Sequence, residues 1–493
     1  MPQTARFVFL LVTVVLGASA PSLASQQAKV RLLVTPTNDI VPFNNKLSTR
    51  LRPLDALGDT ECTLVGLTRK GEMVIEMPKG DVNSAMRSLA KEGAKAEQTS
   101  EEPPRRTRTL LVRYTDRDAA RKELTDLGYE ILEDYEPGSF FRVVPKNDKG
   151  QLRTAAVTKL GELAAVDHVE LERTVHLPQM QLKDKDGFKA DTTGTPNDEY
   201  WSELWGLRTI NAPEAWKTVR EAPDVIVAVL DTGVDYNHED LKPNMWINPK
   251  PDPVKKDVHG YDFVGKTGNP MDPHGHGTQC AGIIGAVGNN KKGVTGVAWK
   301  VQIMALKCLD REGHGANTDV IKAIAYAVEH KANIINASFT DTVFDQLVYD
   351  AIKRAADQGI LFIAAAGNDD NNNDNANERL YPCSYGLPNV ISVMAVNQKD
   401  VKATFPLGGS GFGKDSVHLA APGIEIMTCH PNNLYKKTEG TSMAAPYVAG
   451  AAALVWAHPT YAQSGYRTIR KLLFDNARKL DAKGNPLRLK CLT

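Results

Sequence analysis

The stretch Val225-Ile226-Val227-Ala228-Val229-Leu230-Asp231 determines how the largest part of this chain is expected to fold. Its six consecutive apolar residues, mostly β-branched, predict a strand that is buried on both faces, as in a parallel sheet. Further apolar runs follow at 302–306, 334–336 and 361–366, with helical patterns between them at 319–329 and 345–358. This alternation predicts an α/β fold with a doubly wound, mostly parallel central sheet.

Three polar motifs end strands or open helices of this predicted sheet. Asp231 ends the first strand and Asn368 follows the run at 361–366, so both are expected at the carboxyl edge, where such sheets bind ligands. The stretch 272–278 contains His276 and precedes an apolar helical pattern at 280–287, which places the histidine at a helix start. We therefore expect a carboxylate, an amide and an imidazole on one rim of the sheet.

A fourth motif, Gly440-Thr441-Ser442-Met443-Ala444-Ala445-Pro446, precedes the apolar run at 447–455. The run predicts a buried helix in which Gly450 allows close packing. Free N–H groups and the positive end of the helix dipole suit a nucleophile whose attack creates a negative oxygen. Taken alone, the motif is better explained by Thr441 or Ser442 acting as an N-cap, so the nucleophile hypothesis depends on the other three motifs.

Together the four positions meet the requirements of a nucleophilic hydrolase. Ser442 is predicted to attack, His276 to take and return the proton, and Asp231 to hold the imidazole in the required tautomer. Asn368 and the backbone N–H of Ser442 are predicted to bind the oxyanion.

In this order and setting, the motifs resemble those of the subtilisin-like serine proteases, the subtilases, over about residues 200–480. The resemblance implies a serine endopeptidase that acts on protein or peptide substrates. It also selects His276 rather than His274, because the family histidine is followed by Gly-Thr; Gln279 stands where a second histidine is often found. The matching stretches are Val229-Leu230-Asp231-Thr232-Gly233, His276-Gly277-Thr278-Gln279-Cys280-Ala281-Gly282, Ala365-Ala366-Gly367-Asn368 and Gly440-Thr441-Ser442-Met443-Ala444-Ala445-Pro446.

The resemblance implies further substrate-binding residues, on an edge strand that pairs with the substrate and on the walls of the specificity pocket. The matching positions are Gly313, His314, Gly315, Ser338, Phe339, Thr340, Ala365, Ala366 and Gly367. Thr340 stands where the family usually has glycine, and Leu380 stands where a smaller residue is often found. We expect these two side chains to make the pocket shallow, unless neighbouring loops move and keep it deep.

The resemblance also implies structural Ca²⁺, which proteins bind through oxygen ligands. Asp240 matches a carboxylate ligand of the family. Asn290 matches the side-chain ligand of a loop whose backbone carbonyls at 288, 292 and 294 complete the site. The stretch 369–374 is also rich in oxygen atoms, but it is better explained as a polar loop.

The residues before the α/β domain predict a secretory precursor. Arg6, the apolar run at 7–16 and the small residues up to Ala24 indicate a signal peptide at 1–24, and hence a secreted protein or one of a secretory-pathway organelle. Residues 25–106 are predicted to be a leading pro-segment without an assigned fold. It contains strands at 30–34 and 73–77, a helix at 82–91 and a linker at 97–106.

The range 107–192 is predicted to hold a small ferredoxin-like domain, indicated by a βαββαβ pattern, and an activation linker after it. Its strands are predicted at 110–114, 129–133, 140–144 and 169–172, and its helices at 117–127 and 155–165. The pattern resembles the subtilase propeptide, which implies a chaperone and inhibitor of the catalytic domain at 193–493. Its tail, 174–180, is expected to lie in the cleft, with autocleavage between about 177 and 192; a cut before Thr192 is one candidate.

Composition argues against other partners. The 493 residues include 59 Lys plus Arg and 59 Asp plus Glu, which disfavours a nucleic-acid partner, and no predicted segment is a stable membrane anchor. We expect a monomer. Of six cysteines, Cys280 and Cys308 are expected as buried thiols and Cys383, Cys429 and Cys491 in loops, while Cys62 is unassigned; no pair has metal-ligand spacing, and any disulfide pairing stays open.

Three alternative functions fit these motifs less well. A catalytically silent relative that only binds peptides would lack one of the four chemical positions, and all four are filled. A proprotein convertase would carry a further β-rich domain, for which too few residues follow the helix predicted at 466–480. An esterase acting on lipids or small esters fits the triad but not the peptide-pairing strand at 313–315.

Overall fold

The computed structural model describes residues 29–36, 63–67, 73–78, 94–98, 109–146, 160–161, 163–177, 195–406, 408–479 and 487–488. The chain forms two compact units that divide between Glu172 and Arg173. The predicted signal peptide and the predicted domain boundary at 192 lie outside the described residues. Residues 174–177 belong to the second unit because they pair with one of its strands.

The first unit begins with a four-stranded antiparallel sheet in the order β2-β3-β1-β4. The strands predicted at 30–34 and 73–77 are confirmed. The linker predicted at 97–106 is wrong at its start, because residues 97 and 98 continue a strand that pairs with β1. The helix predicted at 82–91 lies outside the described residues. The strands are β1 Lys29–Pro36, β2 Thr63–Leu67, β3 Met73–Pro78 and β4 Ala94–Gln98.

A second antiparallel sheet of this unit has the order β6-β7-β5-β8, the strand order of a ferredoxin-like domain. Asp116 caps the helix by accepting the N–H of Ala119. The hairpin predicted across 137–138 is confirmed, with a 3₁₀ turn at Glu136–Gly138, and the last strand begins three residues earlier than predicted. Of the second predicted helix, 160–161 is described as helical. The elements are β5 Leu110–Tyr114, α1 Arg117–Asp126, β6 Tyr129–Tyr135, β7 Phe140–Pro145 and β8 Val166–Leu171.

The second unit contains a nine-stranded sheet in the order β11-β12-β10-β14-β15-β16-β19-β23-β22, parallel except for the last pair. The four predicted parallel strands are therefore confirmed. The strands of this unit are β9 Thr174–His176, β10 Glu221–Asp231, β11 Gly260–Asp262, β12 Lys300–Lys307, β13 His314–Ala316, β14 Ile334–Ala337, β15 Leu361–Ala365, β16 Val390–Val396, β17 Thr404–Phe405, β18 Gly408–Gly409, β19 Leu419–Pro422, β20 Ile426–His430, β21 Leu434–Thr438, β22 Arg478–Lys479 and β23 Leu487–Arg488.

Helices cover this sheet. Val227 and Val229 of β10 join the apolar cluster of α4 and α7, while Ala228 and Leu230, which alternate with them along the strand, are equally buried. Since alternate residues point to opposite faces, the strand is covered on both. The helices are α2 Trp205–Thr209, α3 Ala212–Ala215, α4 His276–Gly285, α5 Asn317–Glu329, α6 Gln346–Asp357, α7 Thr441–Ala457 and α8 Tyr466–Asp475.

The helix α7 is buried along its whole length except at Ala457. The predicted close packing at Gly450 is confirmed, because a Cβ there would lie 2.7 Å from Cβ of Val297. Apolar all round, α7 is a core helix. Among the helices of the described residues, none combines the length and apolarity needed to cross a membrane.

Candidate active site

Asp231 and His276 form a buried hydrogen-bonded pair at the carboxyl edge of the sheet. Asp231 is the last residue of β10, and His276 is the first residue of α4. The imidazole Nδ1 lies 2.7 Å from Oδ1 and 2.8 Å from Oδ2 of Asp231, and both side chains are fully buried. A carboxylate partner requires a donor, so the proton is assigned to Nδ1. The other ring nitrogen, Nε2, is then left to accept a proton.

The residues around His276 explain how the ring comes so close to the sheet. Gly275 precedes the helix with φ at +108°, a conformation that favours glycine. A Cβ on Gly277 would lie 3.0 Å from Cβ of Asp231 and closer still to a backbone carbonyl. The buried Asp272 accepts the N–H groups of Gly275 and Thr278, and so satisfies donors at the start of α4. The linear motif contains Asp272 but no signal of this role.

The charge of Asp231 governs the protonation of His276. Burial by itself lowers the pKa of the imidazole, because it penalises the charged form. The adjoining carboxylate acts in the opposite direction and prevails, which raises the pKa of His276 well above 6.5. The pair therefore stabilises the imidazolium that forms when the ring accepts a proton.

Ser442 is the second residue of α7 and is fully buried. Its Oγ donates a hydrogen bond of 3.1 Å to the carbonyl of Ser338, whose own Oγ donates at 2.9 Å to the carbonyl of Ser442. The buried Nε2 of His276 has no hydrogen-bond partner among the residues that the structure describes. In this state the serine hydroxyl faces the wall of the cleft and not the imidazole.

The orientation of the Asn368 amide is fixed by Thr441. The backbone N–H and the hydroxyl of Thr441 both donate to Oδ1 of Asn368, at 2.9 and 2.8 Å. These two bonds identify the carbonyl oxygen and aim Nδ2 elsewhere. Within the described part of the chain, Nδ2 has no acceptor, and a Cβ on Gly440 would lie 3.0 Å from it. An unused amide donor thus stands beside the N-terminus of α7, as predicted for an oxyanion donor.

A short strand of the chain occupies the predicted peptide-binding edge. Strand β9 pairs antiparallel with β13, with His176 opposite His314 and Val175 opposite Gly315. The N–H of Leu177 donates to the carbonyl of Gly313 at 2.9 Å, and Leu177 fills the space that a Cβ on Gly313 would need. On the other side, His176 and Thr340 form a β-bridge. The predicted tail at 174–180 therefore lies between the two predicted walls as far as residue 177, and its last three residues lie outside the described part.

The two side chains predicted to fill the specificity pocket converge on Gly367. A Cβ on Gly367 would lie 2.2 Å from Cδ1 of Leu380 and 4.0 Å from Cγ2 of Thr340. Leu380 is buried and Thr340 is partly buried. The predicted wall residues Ser338, Phe339, Ala365 and Ala366 are all buried beside them. Both bulky side chains therefore border the space over the glycine.

The predicted calcium ligands Asp240 and Asn290 lie together. A further carboxylate, that of Asp198, contacts the same loop, although no sequence motif marks Asp198 as a ligand. Nδ2 of Asn290 donates to Oδ1 of Asp240 at 2.7 Å, and the N–H of Val294 donates to the other oxygen at 3.0 Å. The buried carboxylate of Asp198 accepts the N–H groups of Asn289 and Asn290. Burial raises the pKa of Asp198, and the charge of Asp240 adds to this effect. Among the described residues, no lysine or arginine forms an ion pair with either carboxylate.

The stretch 369–374 behaves as the polar loop that was predicted. Asp374 accepts hydrogen bonds from the N–H groups of Lys414 and Ser416, so its carboxylate ties two loops together. His274 is exposed, and its ring centroid lies 6.3 Å from that of His276. It flanks the pair without taking part in it.

Four cysteines lie within the described residues, and all four are buried free thiols. The prediction is confirmed for Cys280 and Cys308 and wrong for Cys429, which lies inside β20, a strand whose first four residues are all buried. Cys383 is buried in a turn. The Sγ of Cys280 lies 3.5 Å from the carbonyl of Ser442, and burial raises its pKa, so it is a neutral packing group behind the Asp231–His276 pair. Cys62 and Cys491 lie outside the described part.

Comparison with known proteins identifies relatives of the second unit. The model of the Subtilase family matches residues 222–489. Thermitase of Thermoactinomyces vulgaris is 37% identical over 291 residues, which cover 59% of this chain and 94% of thermitase. The minor extracellular protease Epr of Bacillus subtilis (strain 168) is 34% identical over 272 residues, covering 55% of this chain and 38% of Epr.

A solved structure shows the same fold over a longer part of the chain. Fervidolysin from Fervidobacterium pennivorans, described as a keratinolytic enzyme related to subtilisin, superimposes with a TM-score of 0.64 at 23% identity. The match covers 78% of this chain and 60% of the fervidolysin chain. At this identity the likeness concerns the fold alone.

Proposed function

Because this chain belongs to the subtilase family of serine endopeptidases, we propose that it is a secreted, autoprocessed endopeptidase whose nucleophile is Ser442. The observation that carries the proposal is the buried Asp231–His276 pair, whose Nε2 has no partner among the described residues, on the rim that also bears Ser442 and Asn368. A serine nucleophile needs a base that is paired with a carboxylate and can still accept a proton.

The chemistry follows from the roles of these four side chains. Rotation of Ser442 about its Cα–Cβ bond takes Oγ from the Ser338 carbonyl toward Nε2 of His276, a contact that often forms only once substrate is bound. Nε2 takes the proton as Oγ attacks the scissile carbonyl, and later returns it to the leaving amine. Nδ2 of Asn368 and the N–H of Ser442 receive the developing oxyanion. Asp231 keeps the ring in the productive tautomer throughout.

The same proposal includes an inhibited precursor, with the propeptide as the partner of the enzyme. It is supported by the ferredoxin-like sheet at 110–171 and by β9, which occupies the edge where a substrate backbone would pair. Secretion is supported by the apolar N-terminus and by the extracellular relative Epr. We expect N-terminal sequencing of the secreted enzyme to place the first residue of the mature chain between 178 and 192. A mature chain that begins before Val175 contradicts this scheme.

We further propose that the primary specificity pocket is shallow, since Leu380 and Thr340 both border the space over Gly367. Cleavage of a peptide library is expected to favour small residues immediately before the cut. In the Leu380→Ala variant the ratio of cleavage after Phe to cleavage after Ala should rise, because a larger side chain then has room. A wild-type profile dominated by Phe, Tyr, Lys or Arg would contradict the hypothesis.

We propose a structural Ca²⁺ held by Asp198, Asp240 and Asn290 together with carbonyls of the loop at 288–294. Two buried carboxylates that face the same loop fit the oxygen-rich coordination that Ca²⁺ requires. A chelator is expected to lower the melting temperature by roughly 5 °C or more. The Asp198→Asn variant should lose most of this shift, and the exposed Asp224→Asn control should keep it. A wild-type melting temperature that is unchanged in chelator counts against the site.

A further inference from the structure

The pairing of the tail with the enzyme continues beyond β9 to Arg173. The N–H of Arg173 donates to Oδ1 of Asn317 at 3.1 Å, and the N–H of Asn317 donates to the carbonyl of Arg173 at 2.8 Å. Asn317 follows β13 directly and is fully buried. The backbone of Arg173 is therefore held in register with the residues that occupy the cleft, three positions before the residue that pairs with Thr340.

The side chain of Arg173 lies in a polar hollow of the α/β domain. One guanidinium nitrogen, Nη2, lies 3.2 Å from the carbonyl oxygen of Phe344 and 3.4 Å from Oδ2 of Asp345. The arginine side chain is 12% exposed and that of Asp345 is 4% exposed. The amide of Asn317 donates to the same carboxylate oxygen, so the asparagine that clamps the backbone also orients the group that binds the side chain.

A second carboxylate makes the hollow more acidic. Asp341 lies one residue after Thr340, on the segment that lines the tail, and its Oδ1 accepts the N–H of Val343. Burial raises the pKa of Asp341 to about 6; the charge of Asp345 adds to this effect, while the charge of Arg173 opposes it. An arginine in the hollow is therefore favourable for both carboxylates.

We propose that Asn317, the Phe344 carbonyl and Asp345 form a subsite for an arginine of the substrate, located three residues before the substrate residue that pairs with Thr340. The inference rests on the proposed function, because it treats the tail as a model of a bound peptide. Cleavage after residue 177 allows Arg173 to leave with β9. Removing one partner of a buried ion pair is unfavourable, and a substrate arginine laid along the same edge restores the contact.

The buried position of the hollow favours arginine over lysine. Its two acceptors, a carbonyl and a carboxylate, are both reached from one guanidinium nitrogen, so the preference comes from the cost of dehydrating the cation and not from the number of contacts. Arginine presents several donors in a rigid fork and is more weakly hydrated than lysine, so it is better suited to buried polar sites.

Asp345 also has a structural role, and the test has to distinguish the loss of that role from the loss of arginine binding. Its Oδ1 accepts the N–H of Val348 and caps α6. Asparagine is an equally good N-cap, so Asp345→Asn keeps the cap and removes the charge. Asp357, exposed at the other end of α6, provides the matched control Asp357→Asn.

The experiment measures kcat/KM of the processed enzyme on internally quenched peptides in which one arginine is moved through the positions before the cut. Matched peptides carry glutamine as the neutral counterpart of the arginine or lysine as a second cation. Wild type and Asp357→Asn are expected to favour arginine at one position by about tenfold, chiefly through KM. In Asp345→Asn the ratio of the arginine to the glutamine peptide is expected to fall to within about twofold. As a second measurement, Arg173→Gln in the full chain leaves the mature enzyme unchanged and should weaken inhibition by the released pro-segment by a similar factor.

Four outcomes overturn the subsite: no position that favours arginine, the same preference in Asp345→Asn, an equal preference for lysine, or unchanged inhibition in Arg173→Gln. In each of these the enzyme still cleaves peptides, so the proposed function stands. A wild-type enzyme that cleaves none of the peptides overturns the proposed function and the subsite together.

Discussion

The Ser442→Ala variant is expected to lose hydrolysis of peptide substrates by a factor on the order of 10⁶ in kcat, the loss measured when subtilisin, a member of the same family, is deprived of its serine. The reason is that alanine removes the only atom proposed to attack the carbonyl, while the Asp231–His276 pair and the oxyanion donors stay in place. Substrate binding should change little, since the contacts of β13 and Thr340 with the substrate backbone remain.

The same variant also tests autoprocessing. Wild type is expected to appear as cleaved fragments, and Ser442→Ala as an uncut chain after removal of the signal peptide. Intact mass spectrometry of both proteins distinguishes these states. Ser464→Ala, in the turn after α7, serves as the control and should be cut like wild type. Peptide hydrolysis by Ser442→Ala within tenfold of the wild-type rate would be incompatible with a serine nucleophile at this position.

Asp231→Asn is expected to lower kcat by about 10⁴, as in other enzymes of this catalytic type. An amide at this position places an NH₂ group or an amide oxygen against Nδ1 of His276. The carboxylate no longer enforces the tautomer in which Nε2 is free to accept the proton. Stopped assays with a sensitive fluorogenic peptide measure the residual rate, and the melting temperature reports whether the variant is folded.

The pH profile separates this explanation from simple loss of structure. The base must be neutral to accept a proton, and Asp231 raises the pKa of His276 above 6.5. The acid limb of kcat/KM should therefore lie above pH 6.5 in wild type. Without the carboxylate, the largest remaining influence is burial, which lowers the pKa of His276, so the limb should move to lower pH in Asp231→Asn. An acid limb at the same pH in both proteins would show that the carboxylate does not act on the imidazole.

Four strands of the central sheet, and the placing of the chemical residues at strand ends and helix starts, were predictable from local patterns, whereas the choice of His276 rather than His274 depended on the family resemblance. A continuous apolar run ending in Asp231 indicates a buried strand and its carboxyl end, and the small residues around His276 and Ser442 indicate helix starts that allow close approach. The sequence predicted that the tail lies in the cleft, but not which of its residues pair with which residues of β13. The alternating side-chain pattern of so short a strand does not fix its register.

Other features depend on contacts between distant residues and had no linear signal. Asp198 lies about ninety residues before the loop whose N–H groups it binds, and nothing in its neighbourhood resembles a ligand motif. Arg173 meets Asp345 across 172 residues of sequence. The linker predicted at 97–106 was placed too early because Glu97 and Gln98 are polar, although the strand that contains them is held by backbone pairing with β1. Cys429 appeared loop-like because polar residues flank it, although its own side chain faces the core.

Labelling of the processed enzyme with a fluorophosphonate, followed by mass spectrometry of the tryptic peptides, tests directly whether Ser442 is the nucleophile. The reagent reacts with a serine only where a base and an oxyanion site activate the hydroxyl. One label per chain is expected, located on Ser442 and absent from Ser442→Ala. Failure to label the folded, processed protein, or a label on another residue, would contradict the assignment and favour a relative of the family that binds peptides without cleaving them.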